Sequence, residues 1–302
     1  RSRLAAESER GLTPLVGRDH ELALLRDSFG EAQAGHGQGV FVYGEAGIGK
    51  SRLLLEFRHH AEAAGARWVL GRCVSYGHAI AHLPVLDFVR DLFGIKEGDG
   101  VETMLRKLAD GVREAGDDVA WTIPFLRALF SLDPGDAAVE AMIPVQRKGR
   151  TAEAVRDLLL AHATKRPLVL VVEDLHWIDP HSEDILRLVL DGMAAAPLMV
   201  VLTYRPGYAQ TFGERTYFTR ITLRALPEAQ TAAMVQRVLQ GNVPVEASRL
   251  VARKAGGNPL FVEELAKPLV EDGTLERVGG GYRLARPLAD AHIPDTIQGV
   301  IM

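Results

Sequence analysis

Apolar residues follow two rhythms along this chain. Short continuous runs read as strands: Val40-Phe41-Val42-Tyr43, Arg67-Trp68-Val69-Leu70-Gly71, Leu168-Val169-Leu170-Val171-Val172 and Leu198-Met199-Val200-Val201-Leu202-Thr203. Ile221-Thr222-Leu223 is a candidate last strand. The run from Leu168 is apolar at every position, which suits a parallel sheet buried on both faces. Helical spacing marks a segment within 15–34 that carries Leu22, Leu24, Leu25 and Phe29. The same spacing recurs over 50–64, 84–93, 101–114 and 150–164, and again after Asp179-Pro180, which caps a helix running to Asp191. Residues 115–150 hold three prolines and short apolar pieces, and read as a helical insert. Strands alternating with helices predict an α/β fold around a parallel sheet.

After Leu226 the rhythm becomes helical alone. Helices are expected over 227–240, 246–255 and 260–271, with Gly256-Gly257 as a stop, followed by a hairpin within Thr274–Leu284 around Gly279-Gly280-Gly281. A new apolar periodicity begins near Ile293 and runs to Met302, and residues 1–13 read as a polar linker.

One stretch carries explicit chemistry. Gly44-Glu45-Ala46-Gly47-Ile48-Gly49-Lys50-Ser51 matches G-x-x-x-x-G-K-[ST], and it lies between an apolar strand and an amphipathic helix. Glycines let the backbone curl so that successive N–H groups point at phosphate oxygens, and the helix N-terminus adds partial positive charge. Lys50 would bring a full charge to β- and γ-phosphates, and Ser51 would offer its hydroxyl to Mg²⁺. The expected ligand is ATP or ADP with Mg²⁺.

A second constellation lies at the ends of later strands. Glu173-Asp174 directly follows Leu168–Val172; Glu173 would hold the metal and Asp174 would polarise the attacking water. The order is Glu then Asp where many NTPases have Asp then Glu, which predicts slow turnover. Thr203-Tyr204-Arg205 ends another strand. Arg205 is placed to reach a γ-phosphate, with Thr203 assisting by a hydrogen bond. His176, His59-His60, His78 and His82 lack a partner set at metal-ligand spacing.

Composition narrows the class. The chain has 302 residues, 47% of them hydrophobic, enough for a substantial core. A net charge of −4 gives no basic field for nucleic acid, so no direct nucleic-acid contact is expected. The single cysteine, Cys73, excludes an internal disulfide and fits a reducing, cytoplasmic setting. No apolar run approaches the ~18–20 residues of a membrane span. The start at Arg1 without Met, and an uncapped apolar segment at the end, suggest a piece of a longer protein.

Taken in order, four blocks resemble the signal-transduction ATPases with numerous domains (STAND), within the AAA-like P-loop NTPases. They are Leu15-Val16-Gly17-Arg18 with Glu21-Leu22, Gly44–Ser51, Val171–Asp179, and Gly256-Gly257-Asn258-Pro259-Leu260 through Leu265; Thr203-Tyr204-Arg205 matches the sensor position. The resemblance implies a P-loop NTPase three-layer sandwich over 14–225, a helical lid with a hairpin over 226–290, and the start of a winged helix over 291–302. It implies that Val16, Gly17 and Arg18 lie against adenine, that Pro259 packs on adenine from the lid, and that Arg52 joins the nucleotide-binding set. Such modules occur in bacterial chains with a class III cyclase domain, which Gly11–Arg18 resembles more, or in LuxR-type regulators. The implied function is a nucleotide-driven switch acting on other domains of its own chain, and it allows a nucleotide-dependent oligomer. A non-hydrolysing scaffold is the alternative, and a P-loop kinase is disfavoured by the lid block.

Overall fold

The computed structural model describes residues 15–75 and 82–288. The linker expected over 1–13, His78 and the segment from Ile293 lie outside the described residues. Contacts divide the chain into two compact units. One holds Ala23–Tyr43 and Phe57–Ile221; the other holds residues 15–22, Gly44–Glu56 and the chain from Thr222 onward.

The first unit is built on a five-stranded sheet. Its strands are β1 (Gln38–Tyr43), β2 (Arg67–Arg72), β3 (Leu168–Glu173), β4 (Leu198–Tyr204) and β5 (Phe218–Thr222), in the order β2-β3-β4-β1-β5. The β2–β3, β3–β4 and β4–β1 pairs are parallel, with Arg72 opposite Glu173, Val172 opposite Leu202 and Tyr43 opposite Tyr204. Tyr43, Glu173 and Tyr204 therefore end on one edge of the sheet.

All seven residues of β4 and five of the six in β3 are buried. Each such Val or Leu contributes roughly 1.5–3 kcal/mol of apolar burial. The core continues into helices α1 (Asp19–Gln33), α3 (Leu83–Phe93), α4 (Val101–Ala115), α7 (Pro144–Lys165) and α8 (Pro180–Gly192). α2 (Lys50–Ala63) follows the glycine loop, and two short helices, α5 (Ile123–Leu129) and α6 (Ala137–Glu140), fill the insert. Cys73 is buried in this core, and burial, with Asp179, Asp174 and Asp87 nearby, pushes its thiol pKa far up.

α1 lies within the 15–34 segment that the sequence marks and starts at Asp19, after Gly17 with its left-handed φ of 62°. Two boundaries differ from the sequence reading. α7 starts at Pro144 rather than Arg150. Proline suits the first helical turn, but Val145 is 78% exposed, so the early turns carry no apolar stripe to read. β5 begins at Phe218 and ends at Thr222; it is an edge strand of partly exposed residues, and only Ile221 is buried.

In the second unit α9 (Glu228–Leu239), α10 (Val245–Ala255) and α11 (Pro259–Glu271) share a core of Val235, Val251, Val262 and Leu269, against which Val16 packs. The antiparallel hairpin of β6 (Leu275–Val278) and β7 (Gly281–Leu284) follows as expected. Among the described residues no helix is long and apolar enough to cross a membrane.

Candidate functional site

The glycine loop runs from Gly44 to the first turn of α2. Gly47 and Gly49 have φ of 75° and 100°, values that side-chain-bearing residues resist. A Cβ on Gly47 would also fall 2.8 Å from both Asn258 Oδ1 and Leu260 Cβ. Ile48 is buried, whereas Glu45 and Ala46 are exposed. Lys50, only 8% exposed, curls back so that Nζ donates to Gly44 O at 2.7 Å and Glu45 O at 2.9 Å. Ser51 lies half-buried in the first turn of α2, and Arg52 pairs with Glu56 at 3.1 Å.

Two other segments of the same unit hold this loop. Arg18 is 5% exposed; its Nη2 donates to Ile48 O at 3.2 Å and Arg224 O at 2.7 Å, and its Nη1 pairs with Glu21 at 3.2 Å. Val16 and Gly17 are thereby fixed beside the end of the loop. From the other direction Asn258 Nδ2 donates to Ala46 O at 2.9 Å, and Leu260 N donates to Gly47 O at 3.3 Å. Asn258 Oδ1 also accepts from Leu260 N, capping α11, and Pro259 takes the first position of that helix. The start of α11 thus rests on the phosphate-binding backbone.

The acidic pair lies in the sheet unit. Glu173 is the last residue of β3, and Asp174 turns into the left-handed region at φ 59°. Asp174 N donates to Thr203 Oγ1 at 3.1 Å; Thr203 is 1% exposed at the end of β4. Asp174 Oδ1 stands 3.7 Å from Arg205 Nε and 3.9 Å from His176 Nε2. Thr203, Arg205, His176 and Asp174 are therefore one cluster, with two cationic or basic side chains around one carboxylate. Asp179 caps α8 through His181 N and Ser182 N, which fixes the turn after the pair.

In the loop unit the structure brings together Val16, Gly17, Arg18, Gly44–Arg52 and Pro259. In the sheet unit it brings together Glu173, Asp174, Thr203 and Arg205. Sequence reasoning missed Asn258 as a site residue. Its signal was present, since Asn before Pro is a strong helix start, but its bond to Ala46 has no sequence signature. Loop N–H groups at a helix start, Lys50 and the Ser51 hydroxyl form a donor set matched to phosphate oxygens.

Residues 14–201 match the AAA ATPase domain. The chain belongs to that family. The AAA ATPase domain family comprises ATP-binding modules, and the chain is an AAA-like P-loop ATPase module on a parallel sheet. An uncharacterized protein, R02095, of Rhizobium meliloti is 29% identical over 261 residues, covering 84% of this chain and 25% of that protein. The chain thus spans about a quarter of that relative's length. Among solved structures, Drosophila ORC bound to DNA aligns with TM-score 0.53 at 15% identity, over 87% of this chain and 57% of that one. A STAND protein with a tetratricopeptide repeat sensor from Pyrococcus horikoshii aligns with TM-score 0.45 at 16% identity, over 85% and 30%.

Proposed function

We propose that this AAA ATPase module is a nucleotide-driven regulatory switch of a longer bacterial signalling chain. In this reading it binds ATP or ADP with Mg²⁺, hydrolyses ATP slowly, and passes its nucleotide state to other domains. A STAND-type module linked to a cyclase domain fits the leader before Arg18 best, and a LuxR-type regulator comes next. The division into a core over 14–225, a lid over 226–290 and a winged-helix start from 291 belongs to the same proposal, as does a cytoplasmic setting.

One observation carries the switch. Asn258 and Leu260 at the start of α11 are hydrogen-bonded to the carbonyls of Ala46 and Gly47. Any ligand that reshapes the glycine loop must therefore strain or break contacts with that helix. A ligand shifts such an equilibrium only by its differential affinity for the two arrangements. Lys50 would exchange its bonds to Gly44 O and Glu45 O for phosphate oxygens. Bound Mg²⁺ would supply Lewis-acid stabilisation of charge on the phosphates. Ser51 and Glu173 would hold it, Asp174 would orient and deprotonate water, and Arg205 would leave Asp174 for the γ-phosphate. Thr203 would keep the Asp174 turn in place.

Phosphate release by the pure protein tests this reading, with Lys50→Ala as control. The expectation is measurable release by the wild type and at least a tenfold loss in Lys50→Ala, together with loss of ATP binding. A non-hydrolysing scaffold is the second reading, favoured by the Arg205–Asp174 pair that neutralises the water-directed carboxylate. It wins if the wild type binds ATP yet releases no more phosphate than Lys50→Ala.

A further inference from the structure

A cavity of about 500 Å³ lies in the sheet unit, away from the acidic pair. Its walls come from the end of α4, the turn over Asp117–Thr122, the last turns of α7 and the segment after α8. The size is that of a small-molecule site. Ala161, Gly192, Ala195 and Ala196 line it with almost no side chain, which leaves the space. Lys165 and Ala196 lie just before β3 and β4 begin, whereas Glu173 and Tyr204 end those strands, so a strand length of about 17 Å separates the cavity from the acidic pair. Three ionic side chains line it: Asp118, Asp157 and Lys165. Among the described residues, neither Asp118 nor Lys165 makes an ion pair or a side-chain hydrogen bond. Asp157 Oδ1 accepts from Arg156 Nε at 2.7 Å, a bond that leaves Oδ2 for a second cation. Trp121 is the only aromatic among the described lining residues, and Arg150 already stands 4.4 Å from its ring centroid. An aromatic cage needs more ring face than that, so the three charges decide the ligand.

We propose that this cavity binds a free basic amino acid, of the lysine or arginine class, at a site separate from the nucleotide. The two cationic groups of such a ligand meet Asp118 and Asp157, and its carboxylate meets Lys165. No other simple amino acid matches two carboxylates and one ammonium. A neutral one leaves a carboxylate of the wall unpaired. An acidic one sets a second carboxylate against Asp118 or Asp157, a like-charge contact that rejects it. A diamine without a carboxylate leaves Lys165 without a counter-charge. Partly exposed ion pairs are individually weak, so the selectivity comes from meeting all three charges at once. The proposal stands independently of the nucleotide-driven switch.

The test is calorimetric titration of the full chain with L-arginine, with citrulline, whose side chain is uncharged, with agmatine, which lacks the carboxylate, and with L-glutamate. L-Arginine should bind with a dissociation constant below about 1 mM, citrulline and agmatine about three- to fivefold more weakly, and L-glutamate not measurably. Lys165→Gln should bind arginine and agmatine alike, and Asp118→Asn should bind arginine and citrulline alike. Ala195 is exposed, so Ala195→Leu fills the cavity and should abolish binding without moving the melting temperature. No saturation by L-arginine up to about 10 mM overturns the proposal. Equal binding of arginine, citrulline and agmatine overturns it too, as does binding that survives Ala195→Leu unchanged. Should a variant fail to fold, the order of the four ligands on the wild type decides alone.

Discussion

Asp174 adopts a backbone that most side-chain-bearing residues avoid, and its neighbours account for it. Asp and Asn tolerate the left-handed region better than other residues, and the Thr203 hydroxyl takes the Asp174 N–H that the turn would otherwise strand. Thr203→Val keeps the volume and removes the acceptor. It should lower the melting free energy by about 1–2 kcal/mol and cut phosphate release while ATP affinity stays unchanged. Unaltered release in a properly folded variant would show that the hydroxyl has no part in positioning the carboxylate. The identities of Glu173, Asp174, Thr203 and Arg205 were readable because each sits at the end of an apolar run. Their mutual geometry was not. A left-handed φ at one residue, and a hydroxyl 29 positions away that supports it, leave no trace in hydrophobic pattern.

At the scale of elements, the start of α11 does two jobs with one side chain. Asn258 Oδ1 caps the helix, and its Nδ2 holds Ala46 O. Two substitutions separate these functions. Asn258→Ala should cost about 1 kcal/mol of stability through the lost cap. Asn258→Asp keeps the capping oxygen and loses the donor, so its melting temperature should stay near that of the wild type. Protease protection of α11 on adding ATP should nevertheless change in both variants. If Asn258→Asp responds to ATP as the wild type does, the loop and the helix are not coupled through this bond. α8 was legible from its Asp179-Pro180 start, and α11 from its apolar spacing after the Gly256-Gly257 stop. The early turns of α7 were not, because Val145 and its neighbours face solvent and give no period.

On the scale of the whole molecule, the sheet unit carries a pH dependence of definite sign. His162 in α7 is 3% exposed, and burial, reinforced by Arg67, depresses its pKa below the ordinary 6.5. His82 is shifted the same way, chiefly by burial. For a group whose folded pKa lies below its unfolded value, the stability it contributes is fully present above about 6.5 and is lost as pH falls through the folded pKa. Melting temperature should therefore fall on going from pH 7.5 to 5.5, and His162→Gln should flatten part of that slope. Asp87 and Asp91, raised mainly by burial, act with the opposite sign at lower pH. The alternation of strands and helices, and so the parallel sheet, was plain in the sequence. The grouping of the glycine loop with the C-terminal helices was not, because the contacts that create it join residues about two hundred positions apart. Arg18 reaches a carbonyl 206 residues on, and Asn258 reaches back 212 residues to Ala46. That separation matters while the chain is being made. At about 5–20 residues per second, roughly 10–40 seconds pass between the synthesis of Ala46 and that of Asn258. For that interval the newborn loop lacks the amide that will hold it, so the phosphate-binding element leaves the ribosome well before the residue that completes its contacts has been made.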